Sequence, residues 1–271
     1  GLEAACTAAE VGCNTFLLEK GSELGGLASL ISKIPAKNRL ADFPHYLMHR
    51  AEQLENLYIF TNTEGTPENI RKFHPNIIVS STGSAPLLPP IAGLKDRIDN
   101  ENYNIYSILG MINHINDFPK DLEGKKVVVV GGGAVGLDVV EFFADRNADI
   151  SIVEMMDQIG RDLDPVSKND TKAMMKKHNV HQLTKTALLE VKDSSFLVKG
   201  DGEPYELPFE YGFVCLGMRA QGQLYQNLTE EFSSEDVEIM NIGDSQRARR
   251  IIDGTQEGRN ILTILEQRGY L

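Results

Sequence analysis

The chain has 271 residues, of which 41% are apolar, and a formal net charge of −12. That length can bury a large core and hold two domains, while the acidic balance argues against a nucleic-acid-binding surface, which needs a basic patch. No apolar run reaches the roughly 18 residues of a membrane span and no export leader is visible. The three cysteines, Cys6, Cys13 and Cys215, form no Cys-x-x-Cys and no disulfide framework, so a reduced, cytoplasmic setting fits.

In chain order, GLEAACTAAE at residues 1–10 reads as a helix, and TFLLE after it as a strand that ends on Glu19. A glycine-rich segment, KGSELGGLASL, follows. LYIFTNTEGTPENI reads as a strand and loop, and PNIIVSSTG as a further buried strand. A Pro-rich crossover over LLPPIAGLKDRIDNENYNIYSI leads into a second domain. There KKVVVV is a buried parallel strand, GGGAVG a turn, LDVVEFFADRNA an amphipathic helix and DISIVE a second strand. VSKNDTKAMMKKHNV continues as a helix. TALLEVKDSSFLVKGDGEPYELPFEYGFVCLG alternates like a β-meander that ends on a buried strand. EIMNIGD and DGTQEGRNILTILEQR close the chain as a strand and a helix.

The segment from Lys125 carries chemistry. Gly131, Gly133 and Gly136 stand at the GxGxxG positions. The first permits the tight turn, the second lets backbone approach a pyrophosphate, and the third lets helix and strand pack closely. The helix start then offers free N–H groups and a positive dipole end to phosphates. Glu154 lies 18 residues past Gly136, at the end of the second strand, where a carboxylate takes adenosine ribose hydroxyls. A carboxylate there repels a 2′-phosphate, and Met155 and Met156 follow it, so NAD(H) is favoured over NADP(H), with Arg161 the nearest cation in sequence.

The opening matches this segment. Gly1-Leu2-Glu3 aligns with Gly136-Leu137-Asp138, and Thr15 to Glu19 with Ile150 to Glu154, again 18 residues from glycine to acid. The opening therefore reads as the back half of a second βαβ dinucleotide unit. Gly1 is its third glycine and Glu19 its ribose acid; the first strand and first two glycines are missing, as expected of a piece of a longer polypeptide.

These features together resemble the two-dinucleotide-domain flavoproteins. In detail, GDSQRARRIIDGTQEG and the ELGG…IP…F segment resemble the C-terminal half of the NADH:flavin oxidoreductases related to 2-enoate reductase and 2,4-dienoyl-CoA reductase. The resemblance implies an α/β chain of two Rossmann-like domains. A discontinuous FAD domain would span residues 1–99 and 226–271 and lack its first strand, with an NAD(P) domain inserted at 100–225. It implies that Gly25 and Gly26 let backbone run close to FAD, that Thr82 and Gly83 form an ATG-type turn, and that Gly217 belongs to a second such turn. Gly243 and Asp244 would form the GD motif, with Asp244 on the flavin ribityl chain. The cofactors implied are FAD and NAD(H). FMN and an iron–sulfur cluster would belong to an N-terminal barrel, outside this sequence, that acts as partner and reduces an activated C=C bond. A homo-oligomer is compatible with this, and the enoate substrate is not readable.

The redox chemistry of such a module belongs to its cofactors, so no catalytic residue is assigned. The six histidines show no metal-ligand spacing, and no metal is expected. Arg249 and Arg250 read as solvated charges or a domain contact, and Cys215 as a core thiol. Disulfide reductases of similar plan need a Cys pair beside the flavin, which this sequence does not contain. The rival reading is a structural or regulatory module that holds ADP or nothing at the first site. Leu27, where the family often has Gln, speaks for it.

Overall fold

A computed structural model describes residues 1–271. The chain divides into two compact units: residues 1–33, 37–85 and 218–271 form the first, and residues 34–36 and 86–217 the second. The change-overs thus fall at 85/86 and 217/218, where the sequence suggests 99/100 and 225/226. The reason is apolar: Leu94, Ile98 and Ile105 of the crossover are buried in one cluster with Val128, Val130 and Val214 of the second unit.

In the second unit five parallel strands form one sheet. Its spatial order is Ile105–Tyr106, Tyr211–Val214, Lys126–Val130, Asp149–Val153, His181–Leu183. The four valines 127–130 sit at its centre and are all buried, as a β-branched run covered on both faces requires. Helix Ala134–Ala144 buries Leu137, Val139, Val140, Phe142 and Phe143. A second helix, Pro165–Lys177, starts where Asp164 accepts the N–H groups of Val166 and Ser167, with Pro165 at the first helical position. The alternating segment forms a three-stranded antiparallel sheet of Ala187–Val191, Ser195–Lys199 and Tyr205–Pro208.

The first unit holds two separate parallel pairs. Thr15–Leu18 pairs with Leu57–Phe60, and Ile77–Ser80 pairs with Glu238–Asn241. Helix Leu2–Glu10 underlies both. Its Ala5, Cys6 and Ala9 pack on Leu17 and Leu57 of the first pair, and its Ala8 packs on Ile77, Val79 and Met240 of the second. No strand of the first unit occupies the place that Lys126–Val130 holds in the other.

The same helix crosses helix Ile251–Arg259 at very short range. A Cβ on Gly258 would stand 3.1 Å from both the Ala4 nitrogen and the Glu3 Cβ. Beside this crossing Glu3 is only 5% exposed, yet it is charged. Arg50 Nη1 reaches its Oε1 at 2.9 Å and Arg259 Nε at 2.8 Å, and Arg50 also holds Glu10. Burial pushes the Glu3 carboxyl up, but the hydrogen bonds from Arg259 and Arg50 outweigh it and hold its pKa below the ordinary carboxylate value. A depressed folded pKa contributes stability that is present above the unfolded value and lost as pH falls through the folded one. Acidification below about pH 4.5 should therefore weaken the first unit. Glu3→Gln should cost about 2 kcal/mol at neutral pH by removing the charge that accepts hydrogen bonds from Arg50 and Arg259 and should flatten that acid limb. Urea denaturation across pH checks both effects.

Candidate functional site

In the second unit the glycine turn follows strand Lys126–Val130 and leads into helix Ala134–Ala144. Gly131 has φ +108°, and a Cβ there would stand 2.1 Å from the Cys215 carbonyl oxygen. Only glycine satisfies both constraints. A Cβ on Gly136 would meet the Gly131 carbonyl at 1.9 Å, so this glycine sets the close approach of helix and strand. Gly133 differs, for its φ of −79° is ordinary and nothing lies within 4 Å of a Cβ placed on it. It caps helix Ala134–Ala144 with no side-chain hydrogen bond to the first-turn N–H groups. Open space before uncapped N–H groups is what a pyrophosphate needs.

Glu154 stands beside this turn. Its Oε2 accepts the Gly132 N–H at 2.6 Å and its Oε1 accepts the Met156 N–H at 2.8 Å. Gly132 was not singled out by the sequence, yet its amide fixes the carboxylate against the turn. Met155 is 68% exposed and Arg161 is exposed.

The first unit repeats much of this. Glu19 Oε1 accepts the Gly21 N–H at 2.7 Å, the same two-residue step as Glu154 to Met156. Gly1 precedes helix Leu2–Glu10, which has no side-chain cap, and a Cβ on Gly1 would come 2.7 Å from Ser81 Oγ. That places the helix start beside the Ser81-Thr82-Gly83 turn. Thr82 donates its hydroxyl to the Gln221 carbonyl at 2.5 Å, and the Gly83 carbonyl accepts the Gln221 N–H. Thr82 therefore closes the turn with its side chain. Asp244 accepts the Ser84 hydroxyl and the Arg249 N–H, each at 3.0 Å. The Gly243 N–H goes to Glu257, which also pairs with Arg249. Gly25 and Gly26, both at positive φ, open the short helix Gly26–Ile31. Gly217 lies in the second unit, where its carbonyl accepts the Leu87 N–H.

The repeat extends to a strap that the sequence did not disclose. In the first unit Glu19 N–H donates to the Phe60 carbonyl, Asn62 N–H to Gly21, and Thr63 N–H to Glu19. In the second, Glu154 N–H donates to Leu183, Lys185 N–H to Met156, and Thr186 N–H to Glu154. The middle residues, Asn62 and Lys185, sit in the left-handed region at φ +52° and +51°. Thr63 and Thr186 each bond their hydroxyl to the carbonyl two residues back. Thr61-Asn62-Thr63 and Thr184-Lys185-Thr186 are thus one Thr-x-Thr device used twice, and each fixes the turn that carries its acid. The recurring Thr-x-Thr was the available signal.

The thiols are free. Cys215 is buried, and desolvation together with the charges of Asp138 and Asp99 pushes its pKa up to about 12.

A family model described as pyridine nucleotide-disulphide oxidoreductase matches residues 53–240. The chain belongs to that family. It is a flavin- and NAD(P)-dependent oxidoreductase domain with a Rossmann-type α/β fold. It is 26% identical over 95% of its length to an NADH oxidase of Thermoanaerobacter brockii, of which it covers 38%. It is 23% identical over 93% of its length to a cinnamate reductase of Clostridium sporogenes, of which it covers 36%. A solved 2-naphthoyl-CoA reductase superposes with a TM-score of 0.81 at 22% identity, over 96% of this chain and 37% of that one. The chain thus spans less than two fifths of these three proteins. The family is named for disulfide chemistry, yet no two cysteines here are paired. No helix is long and apolar enough to cross a membrane.

The open Gly133, the uncapped helix start and the tethered Glu154 fit the dinucleotide that the family implies. The strap gives a test of its own. Lys185→Val forces a β-branched residue into the left-handed region and should cost about 1–2 kcal/mol, whereas Lys185→Gly should cost little. Thermal unfolding reads the cost. Amide exchange at residues 185 and 186 should quicken in the valine variant alone.

Proposed function

We propose that the second unit binds NADH and the first FAD, as the entry module of a larger flavoenzyme that reduces an activated carbon–carbon double bond. The observation that carries the NADH assignment is the Glu154 carboxylate held beside an open glycine turn. Its two oxygens, oriented by the Gly132 and Met156 amides, face vicinal ribose hydroxyls well and a 2′-phosphate poorly. The helix Ala134–Ala144 start and Gly133 would take the pyrophosphate. In the first unit Gly1, Glu19, the Gly25-Gly26 pair, the Thr82-Gly83 turn and Gly243-Asp244 are assigned to FAD. Asp244 would exchange its Ser84 and Arg249 partners for the ribityl chain. Bound together, the cofactors supply hydride transfer from nicotinamide to flavin.

That the chain covers under two fifths of the NADH oxidase and cinnamate reductase it resembles supports assigning the acceptor chemistry to another part of a larger protein. An FMN and iron–sulfur barrel of the same polypeptide is the partner proposed. The cinnamate and naphthoyl-CoA reductases among its likenesses support a conjugated C=C substrate.

Gly133→Ala should leave the melting temperature unchanged, since the added methyl meets open space. It should still raise the Kd for NADH at least about tenfold by blocking the pyrophosphate. Calorimetric titration reads the affinity, and a variant that binds NADH normally would remove the turn from the site. Glu154→Arg should weaken NADH by about tenfold and admit NADPH; unchanged NADH affinity would refute the ribose assignment. For the whole enzyme, NADH should bleach the flavin absorbance, and ADP extracted without FAD would instead favour the regulatory module.

A further inference from the structure

The parallel sheet of the second unit has two ends, and the glycine turn uses only one. Gly131 follows Val130, at the C-terminal end of strand Lys126–Val130. Lys126 opens that strand, roughly 13 Å away. The three-stranded antiparallel sheet packs on one face of the parallel one through a shared apolar cluster. Near Lys126 the two sheets leave a cleft of about 330 Å³. The strands present alternate residues to it. Lys126 stands in register with Asp149, Val128 with Ser151, and Ser151 in turn with His181. Tyr205 and Leu207 of the covering strand line the other wall. The cleft lies wholly within the second unit.

Its depth is apolar and its mouth is charged. Val128 is buried, in the cluster on which Leu183 and Leu207 pack. Lys126 is exposed, and so is about half of the Asp149 side chain. These two start adjacent strands, which lie about 4.8 Å apart, yet they form no ion pair with each other. Asp149 Oδ1 is instead 3.5 Å from His181 Nε2. The Lys126 ammonium and the hydroxyls of Ser151 and Tyr205 have no partner within the protein. A further carboxylate, that of Glu210, accepts the Lys126 main-chain N–H at 2.7 Å and does not line the cleft.

We propose that this cleft binds an α-amino acid with a large apolar side chain. The ammonium and carboxylate of such a ligand flank a single carbon, a spacing that suits two opposite charges on neighbouring strands. Asp149 would take the ammonium and Lys126 the carboxylate, each by a charge-assisted hydrogen bond, with the free Ser151 hydroxyl beside them. The side chain would enter between Val128, Leu183 and Leu207. The volume is near the lower limit of ligand sites, about 300 Å³, and so suits a molecule the size of leucine or phenylalanine. A ligand with one charge would leave either Lys126 or Asp149 without its counterpart, which disfavours simple acids and amines. The glycine turn and Glu154 take no part, so the proposal does not rest on the NADH or FAD assignment.

The test titrates the 271-residue protein with L-leucine and with L-phenylalanine, followed by calorimetry and amide NMR. At least one should bind saturably, one molecule per chain, with a Kd below about 1 mM. Binding should shift the amides of Val128, Ser151, Leu183 and Leu207. Isocaproate, which is leucine without the ammonium, and isoamylamine, which is leucine without the carboxylate, should bind at least about tenfold more weakly. Lys126→Gln and Asp149→Asn change exposed side chains and should leave the melting temperature unchanged, yet each should weaken amino-acid binding by a similar factor. Absence of saturable binding by both amino acids would overturn the proposal. So would equal binding of the analogues, unchanged affinity in either variant, or shifts confined to residues 131–136.

Discussion

The geometry of both candidate nucleotide sites depends on one short turn of backbone after the second strand. In each unit a glutamate side chain accepts the N–H two residues ahead, and its main-chain carbonyl accepts an N–H from a loop after the third strand. The carboxylate is oriented from both directions before any ligand arrives. A side chain on a free strand end samples several rotamers, and fixing one carries an entropic cost. Here the fold meets that cost in advance, which is what preorganisation for binding means.

The glycines and acids of these sites were legible because their spacing is a consequence of local geometry. A strand, a tight turn and a helix of fixed rise put Gly131, Gly133, Gly136 and Glu154 at set intervals, so a linear pattern reports a three-dimensional one. The backbone bonds of the strap in each unit were not legible. They are backbone hydrogen bonds between segments separated by loops of different length, and backbone bonds leave little mark on residue identity. Thr-x-Thr and a left-handed Asn62 or Lys185 are the faint trace that remains. Glu3 shows another limit: a glutamate early in a helix looks like a solvated face, and only the fold brings Arg50 and Arg259 to it.

The GD segment shows how packing and site share residues. Gly243, Asp244, Arg249 and Glu257 form a closed set of hydrogen bonds, and Ser84 ties them to the neighbouring turn. Arg249, which in sequence looked like a solvated charge, belongs to that set. Its partner Glu257 lies on the helix whose Gly258 meets helix Leu2–Glu10. The helix that opens on Gly1 and the loop that carries Asp244 are therefore linked through helix Ile251–Arg259, by the Gly258 crossing and by the Glu3–Arg259 ion pair.

The state of the thiols has a practical side. Cys6 and Cys215 are buried, while Cys13 is half-buried. Cys13 sits in the loop that feeds strand Thr15–Leu18, where its carbonyl accepts the Asn56 side-chain amide. A maleimide dye added to the folded chain would be directed to that loop. The protein thus comes with its own single attachment point for a reporter, beside the strand that leads to Glu19.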